Sequence, residues 1–171
     1  MKKTNLVLIG MPGSGKSTLG KRLAQRLGLG FLDTDALLEK ETHLKIQDIV
    51  NLRGLTYFRA LEERVLCNVD CQNTVISTGG SAVYSPAAMQ ALGANGTRIY
   101  LYISLHSMLQ RVNNQNNRGL VKLAHLPLQS LYQDRRKLYP QYADLTLDNN
   151  RPVTDLSLDR MVQVIKNYAK P

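Results

Sequence analysis

Tryptophan is absent from the chain, and phenylalanine occurs only twice. That leaves little of the interleaving of basic and aromatic side chains on which proteins stack nucleic-acid bases. No apolar stretch approaches the roughly 20 residues that a membrane-spanning helix needs. Lys2 and Lys3 precede an apolar run, but Leu6–Ile9 is too short for the core of a secretory signal. No membrane partner and a cytoplasmic location are therefore expected. Cysteine is scarce as well. Cys67 and Cys71 lie four apart, are expected on one helix and have no histidine pair beside them, so they read as reduced structural thiols. Acidic residues are outnumbered, 13 against 22 basic ones, for a net charge of +9. The basic residues are scattered; Lys21, Arg22 and Arg26 share a helix, whose solvated face is expected to carry them. Small phosphorylated or carboxylated ligands account for the excess, and no nucleic-acid partner is expected.

What is present is an ordinary globular composition, 43% hydrophobic and 20% charged over 171 residues, which suits one domain over the whole chain. The most informative segment follows the first apolar run. Gly10 through Ser17 fit G-x-x-x-x-G-K-[ST], the phosphate-binding P-loop. The glycines let backbone N–H groups turn inward around phosphate oxygens. Lys16 can reach the β- and γ-phosphates as a point charge, and the Ser17 hydroxyl can ligate Mg²⁺. The helix that follows aims its positive end at the same anion. Gly13, Ser14, Gly15, Lys16, Ser17 and Thr18 are thus the residues expected around ATP.

Short apolar runs alternate with amphipathic stretches. Strands are expected at Asn5–Ile9, Phe31–Asp33, Thr74–Ser77, Arg98–Tyr102 and Asp144–Leu147. Helix one runs from about Lys16, with Leu19, Leu23 and Leu27 on one side and Gly28 ending it. Thr34 is placed to cap a short helix, and a longer one is expected from about Gly54 with Phe58, Leu61, Val65 and Val69 buried. Ser85-Pro86, Ser104 and Thr154 open three more. The pattern predicts an α/β fold of three layers, a five-stranded parallel sheet with helices on both faces. Residues 34–72 hold only helices between two strands, which suits a substrate-binding insertion. Residues 112–126, with the polar run Asn113–Gly119, suit a lid carrying Arg118.

The strand Val75-Ile76 ends in Ser77-Thr78-Gly79-Gly80, without the aspartate that many P-loop proteins use for Mg²⁺. Two carboxylates stand instead at the end of the second strand, Asp33 and Asp35. One can support Mg²⁺ with Ser17, the other can orient or deprotonate a substrate hydroxyl. Arg59, with Glu62 and Glu63 three and four residues on, is either a surface ion pair or a carboxylate clamp that Glu62 fixes. Gly79-Gly80 either turns the chain or brings backbone N–H groups to a ligand. Arg135 and Arg136 are each open to a solvated role.

Taken together, Gly10–Ser17, Asp33-Thr34-Asp35, Phe58-Arg59-x-x-Glu62, Gly79-Gly80, Arg118 and Arg135-x-x-Leu138-Tyr139 resemble the shikimate kinase family over nearly the whole chain. The resemblance implies a monomeric P-loop kinase that phosphorylates the 3-hydroxyl of shikimate with ATP and Mg²⁺. It implies that Asp35 binds the ring hydroxyls and is the candidate base, and that Asp33 supports the metal with Ser17. Arg59 and Arg135 would clamp the carboxylate, Gly80 would donate from its backbone, and Gly79 would bind substrate beside it. Lys16 and Arg118 would act on the transferring phosphoryl group, and Arg111 and Arg151 would lie near the adenine. Three positions depart from the family pattern: Ser81 replaces a third glycine, Gly119 follows the lid arginine in place of proline, and Lys137 replaces the proline before Leu138. Ser81 would cost on the order of 1 kcal/mol if its φ were positive. The rival readings are a kinase for another small hydroxy acid such as gluconate, and a nucleotide-binding relative without catalysis. The second predicts eroded catalytic positions, whereas Lys16, Asp33, Asp35 and Arg118 are all present.

Overall fold

The structure, a computed structural model, describes residues 3–114 and 128–168. Five strands are present: β1 (Asn5–Ile9), β2 (Gly30–Asp33), β3 (Thr74–Ser77), β4 (Gly96–Tyr102) and β5 (Leu145–Asp148). They form one parallel sheet in the order β2-β3-β1-β4-β5. Strand pairs such as Leu6 with Val75 and Phe31 with Val75 fix the register. β1 is central and buried along its length, as a run without alternation of polarity requires.

The helices are α1 (Lys16–Leu27), α2 (Thr34–Thr42), α3 (Ile46–Cys67), α4 (Pro86–Asn95), α5 (Leu105–Asn114), α6 (Leu128–Arg135), α7 (Tyr139–Tyr142) and α8 (Asp155–Tyr168). Leu6 and Leu8 of β1 face α1 and α8 through Leu19, Leu23, Leu158 and Val162. Val7 and Ile9 face the other way, into a cluster with Leu66, Met89, Met108, Tyr132 and Tyr139. The three layers follow from this two-sided burial. Leu38 of α2 packs with Ile46, Ile49, Phe58 and Leu61 of α3 in a separate apolar cluster. Among the described residues no helix is long and apolar enough to cross a membrane.

Local signals explain several helix ends. Gly28 takes the left-handed conformation after α1, φ 68°, and closes it with hydrogen bonds to Ala24 and Gln25. The Ser85 hydroxyl accepts from the Ala88 N–H, with Pro86 at the first helical position. Ser104 and Thr154 do the same for the Ser107 and Ser157 N–H groups.

Several expectations are corrected. The cap of α2 is Asp33, whose Oδ1 accepts from the Asp35 N–H at 3.1 Å; Thr34 is fully buried and accepts from the Gly79 N–H instead. The helical stretch expected from about Gly54 is present, but a further helical stretch from Ile46 precedes it, and the two join within α3 across a non-helical Gly54 (φ 82°, ψ 166°). Cys67 ends α3 while Cys71 lies in the loop beyond, so the two thiols do not share a helix; both are free. Arg22 and Arg26 are not simply solvated: Arg22 donates to the Val153 carbonyl at 2.7 Å, and both pair with Asp155 of α8. Because β2 stops at Asp33, the two aspartates do not extend along one strand; Asp35 belongs to α2. From residue 115 on, the expected lid, with Arg118 and Gly119, lies outside the described residues.

Candidate active site

β1 ends at Ile9, and Gly10–Gly15 bend the chain back into α1. Gly13 and Gly15 hold φ of 72° and 90°, which L side chains rarely adopt. A methyl group on Gly15 would also stand 2.9 Å from Asn149 Nδ2. Asn149 braces the loop from outside by donating to the Ser14 carbonyl at 2.7 Å. The first N–H groups of α1 have no partner within the helix, so an anion is the natural occupant of the loop's concave side.

Lys16 Nζ is buried and donates to the Gly10 and Met11 carbonyls at 2.7 and 2.8 Å. Burial pushes its ammonium down to about 8, opposed by the attraction of Asp35. Ser17 Oγ donates to Asp33 Oδ2 at 2.7 Å and lies 3.2 Å from Ser77 Oγ. The serine at the end of β3 thus completes a cluster with the carboxylate of β2, in the place where an aspartate was missed in the sequence. A hydroxyl and one carboxylate are hard oxygen donors of the kind Mg²⁺ uses when phosphates and waters supply the rest of its shell. No group of three or more His, Cys, Asp or Glu suited to a metal occurs among the described residues.

Asp35, Glu62, Gly79, Gly80, Arg59 and Arg135 are brought together on the side of the loop toward β3. A methyl on Gly79 would stand 2.5 Å from Glu62 Oε1 and 2.8 Å from Asp35 Oδ1, so the two carboxylates flank the glycine's bare Cα. A methyl on Gly80 would meet Arg135 Nη1 at 3.0 Å and Pro12 Cδ at 3.1 Å, which packs the turn against the P-loop. Burial pushes Asp35 up to about 6, with the Asp33 charge adding and Lys16 opposing. Burial likewise pushes Glu62 up to about 7, against a hydrogen bond from Ser81. Glu62 Oε1 is buried without a hydrogen-bond partner. A carboxyl that ionises near 6 beside a buried cation can accept a proton at neutral pH.

Arg135 is buried beside Gly80, whereas Arg136 is exposed. Arg59 lies over the Tyr84 ring at 4.6 Å and Arg135 over the same ring at 5.2 Å. The two guanidinium groups thus share one aromatic support, with Arg135 Nε also donating to Tyr84 Oη at 3.4 Å. Of the two readings of Arg59, the ion pair is not seen: none joins it to Glu62 or Glu63 among the described residues, although the Arg59 charge still acts on the Glu62 carboxyl. Ser81 has φ −88°, so the feared strain is absent. Arg111 donates to the carbonyls of Gly13 and Asn150 at 3.3 and 3.0 Å, which sets it against the P-loop. Arg151 is exposed on the segment after β5, and Arg118 lies outside the described residues.

Known proteins resemble this chain in sequence and in fold. A family model described as shikimate kinase matches residues 12–166. The chain belongs to the shikimate kinase family. It is 36% identical over 170 residues to a shikimate kinase of Haemophilus influenzae, covering 97% of this chain and 94% of that one. A Persephonella marina shikimate kinase is 39% identical over 144 residues, 84% of this chain and 87% of that one. A shikimate kinase from Acinetobacter baumannii, solved in complex with shikimate, superposes with a TM-score of 0.80 at 30% identity, covering 96% of this chain and 91% of that one. The family's fold is that of a P-loop kinase, and ATP is its expected phosphoryl donor.

Tyr84 was not singled out in the sequence, Thr34 was read only as a cap, and Ser77 only as the place of an absent aspartate. Each acts through one tertiary contact, a ring face or a hydroxyl, that no spacing along the chain announces. The signal within reach was Ser77 at a strand end, two residues before Gly79-Gly80.

Proposed function

We propose that the chain transfers the γ-phosphoryl group of ATP to the 3-hydroxyl of shikimate, giving shikimate 3-phosphate and ADP. The observation that carries this reading is the convergence of Arg59 and Arg135 on Tyr84, beside Asp35 and the Gly79-Gly80 turn, all within one end of the P-loop site. Two guanidinium groups on one support suit a single carboxylate, and a raised aspartate between the cations and the loop suits a neighbouring hydroxyl. Asp35 accepts the proton from O3 as the O3–Pγ bond forms, and the bond from Pγ to the bridging oxygen of ADP breaks. Lys16 and Arg118 meet the charge that spreads over the equatorial oxygens, and Arg111 and Arg151 flank the adenine. Gly13, Ser14, Gly15, Ser17 and Thr18 hold the phosphates through the loop and the first turn of α1. Mg²⁺, held by Ser17 with Asp33 behind it, supplies neutralising charge when bound. Most of the catalysis is then positioning and electrostatic stabilisation.

In this reading residues 34–72 are the substrate-binding insertion of a single domain, and residues 112–126 are its lid. The enzyme works as a cytoplasmic monomer with small-molecule partners only and binds no nucleic acid. The test is ADP release from ATP and Mg²⁺ with shikimate, gluconate or no acceptor. Release that depends on shikimate alone supports the proposal; equal or faster release with gluconate sinks it.

A further inference from the structure

We infer that Tyr139 is a positioning residue for the acceptor: its buried hydroxyl locks the Gly79-Gly80 turn in register with the P-loop. Tyr139 opens α7 and is fully buried. Its ring stacks on Tyr100 of β4, centroids 5.0 Å apart and planes within 17°, so packing alone fixes where the hydroxyl points. Oη donates to the Gly80 carbonyl at 2.8 Å and lies 3.9 Å from Met11 Sδ. A phenol has one proton, and the shorter contact takes it, leaving the sulfur as a packing neighbour. Met11 is itself part of the P-loop, and its carbonyl accepts from Lys16 Nζ at 2.8 Å. One oxygen therefore touches the turn that lies beside Asp35 and the loop that holds the phosphates.

The consequence for the turn is geometric. A planar trans peptide carries its carbonyl and its N–H on opposite edges. Fixing the Gly80 carbonyl fixes the Ser81 N–H on the far edge and the orientation of the 3-10 turn that follows, where the Ala82 N–H donates to the Gly79 carbonyl at 3.3 Å. Glycine at both 79 and 80 leaves the backbone free to rotate, and the methyl-sized gaps at these residues are bounded by Glu62, Asp35, Arg135 and Pro12. Rotation of the Gly80 carbonyl away from its present direction would swing the turn against those same groups. Burial holds the Tyr139 hydroxyl far above its ordinary ionisation range, so it is a neutral donor at every working pH.

The test compares Tyr139→Phe, which removes one oxygen and keeps the stacked ring, with Tyr132→Phe. Tyr132 is a control of similar burial whose hydroxyl donates to the Ile103 carbonyl at 3.0 Å. Two readouts are taken: KM for shikimate and for ATP, and amide hydrogen exchange at residues 80–82 in protein without ligands. For Tyr139→Phe we expect KM for shikimate to rise roughly fivefold to tenfold, KM for ATP to stay within about twofold, and exchange at Ala82 to quicken about tenfold. Tyr132→Phe changes neither KM nor that exchange. Unchanged exchange in Tyr139→Phe, both KM values rising together, or the same selective rise in Tyr132→Phe overturns the inference. The KM readout rests on the proposed function, whereas the exchange readout does not. A wild-type protein inactive on shikimate would sink the function and leave the locked turn to be decided by exchange alone.

Discussion

Replacing Asp35 by Asn should stabilise the protein while stopping phosphoryl transfer. The carboxyl is pushed from an ordinary 3.8 up to about 6, first by burial and then by the Asp33 charge. An unfolded chain releases this proton near pH 4, whereas the folded one holds it until about pH 6. Stability is therefore unaffected below pH 4, falls as pH rises toward 6, and carries the full penalty above that. Two pH units correspond to roughly 3 kcal/mol. Asp35 keeps part of its surface in water, which screens its neighbours, so we take on the order of 2 kcal/mol. Asparagine cannot ionise and escapes the penalty. At pH 8 the variant should unfold about 4–8 °C above wild type, since each kcal/mol moves the midpoint by about 2–4 °C in a chain of this size. At pH 4 the difference should vanish. Urea or thermal unfolding followed by circular dichroism at the two pH values measures this, and ADP release measures the other half. Loss of the base should lower kcat by about 100-fold or more, with ATP still bound. An Asp35→Asn protein no more stable than wild type at pH 8, a gap independent of pH, or a normal kcat would refute the reasoning.

Three further outcomes follow from the same geometry. Arg59→Ala removes one of the two guanidinium groups on Tyr84 and should raise KM for shikimate by roughly 10- to 100-fold, with KM for ATP little changed, in steady-state kinetics. Gly79→Ala places a methyl 2.5 Å from Glu62 Oε1 and 2.8 Å from Asp35 Oδ1; urea unfolding should show a loss of about 1–3 kcal/mol, and shikimate binding by calorimetry should be lost with it. Asp33→Asn keeps the cap of α2, because asparagine accepts from the Asp35 N–H equally well. Its melting temperature at neutral pH should not fall, since loss of the Asp33 charge also eases the Asp35 carboxyl, while the Mg²⁺ concentration for half-maximal rate rises by about tenfold or more.

The donor half of the site was legible in the sequence because its chemistry forces the residue types. Only glycine takes φ 72° and 90° at residues 13 and 15 without strain, and Lys16 and Ser17 follow at the fixed start of a helix. The strands were legible for a related reason: a strand covered on both faces is an unbroken apolar run, as in Leu6–Ile9. The acceptor half was legible as residues but not as contacts. Helical spacing left Arg59 open between an ion pair and a carboxylate clamp, and the Tyr84 ring on which it lies is remote in sequence. Thr34 was taken for a cap because hydroxyl residues favour that role; the adjacent carboxylate of Asp33 won it and freed Thr34 for Gly79. The helical stretch that starts at Gly54 was legible, whereas the one before it was not: Ile46 and Ile49 hold those turns by packing on Leu38, Phe58 and Leu61.

The central claim is that the two halves together move a phosphoryl group to one hydroxyl of one acceptor. The most direct measurement is phosphorus NMR of a reaction containing the protein, ATP, Mg²⁺ and shikimate. The account predicts ADP and a new phosphate monoester appearing in equal amounts, with the ester phosphorus coupled to the ring proton on C3. ADP accompanied only by inorganic phosphate, or an ester on another hydroxyl, would contradict it.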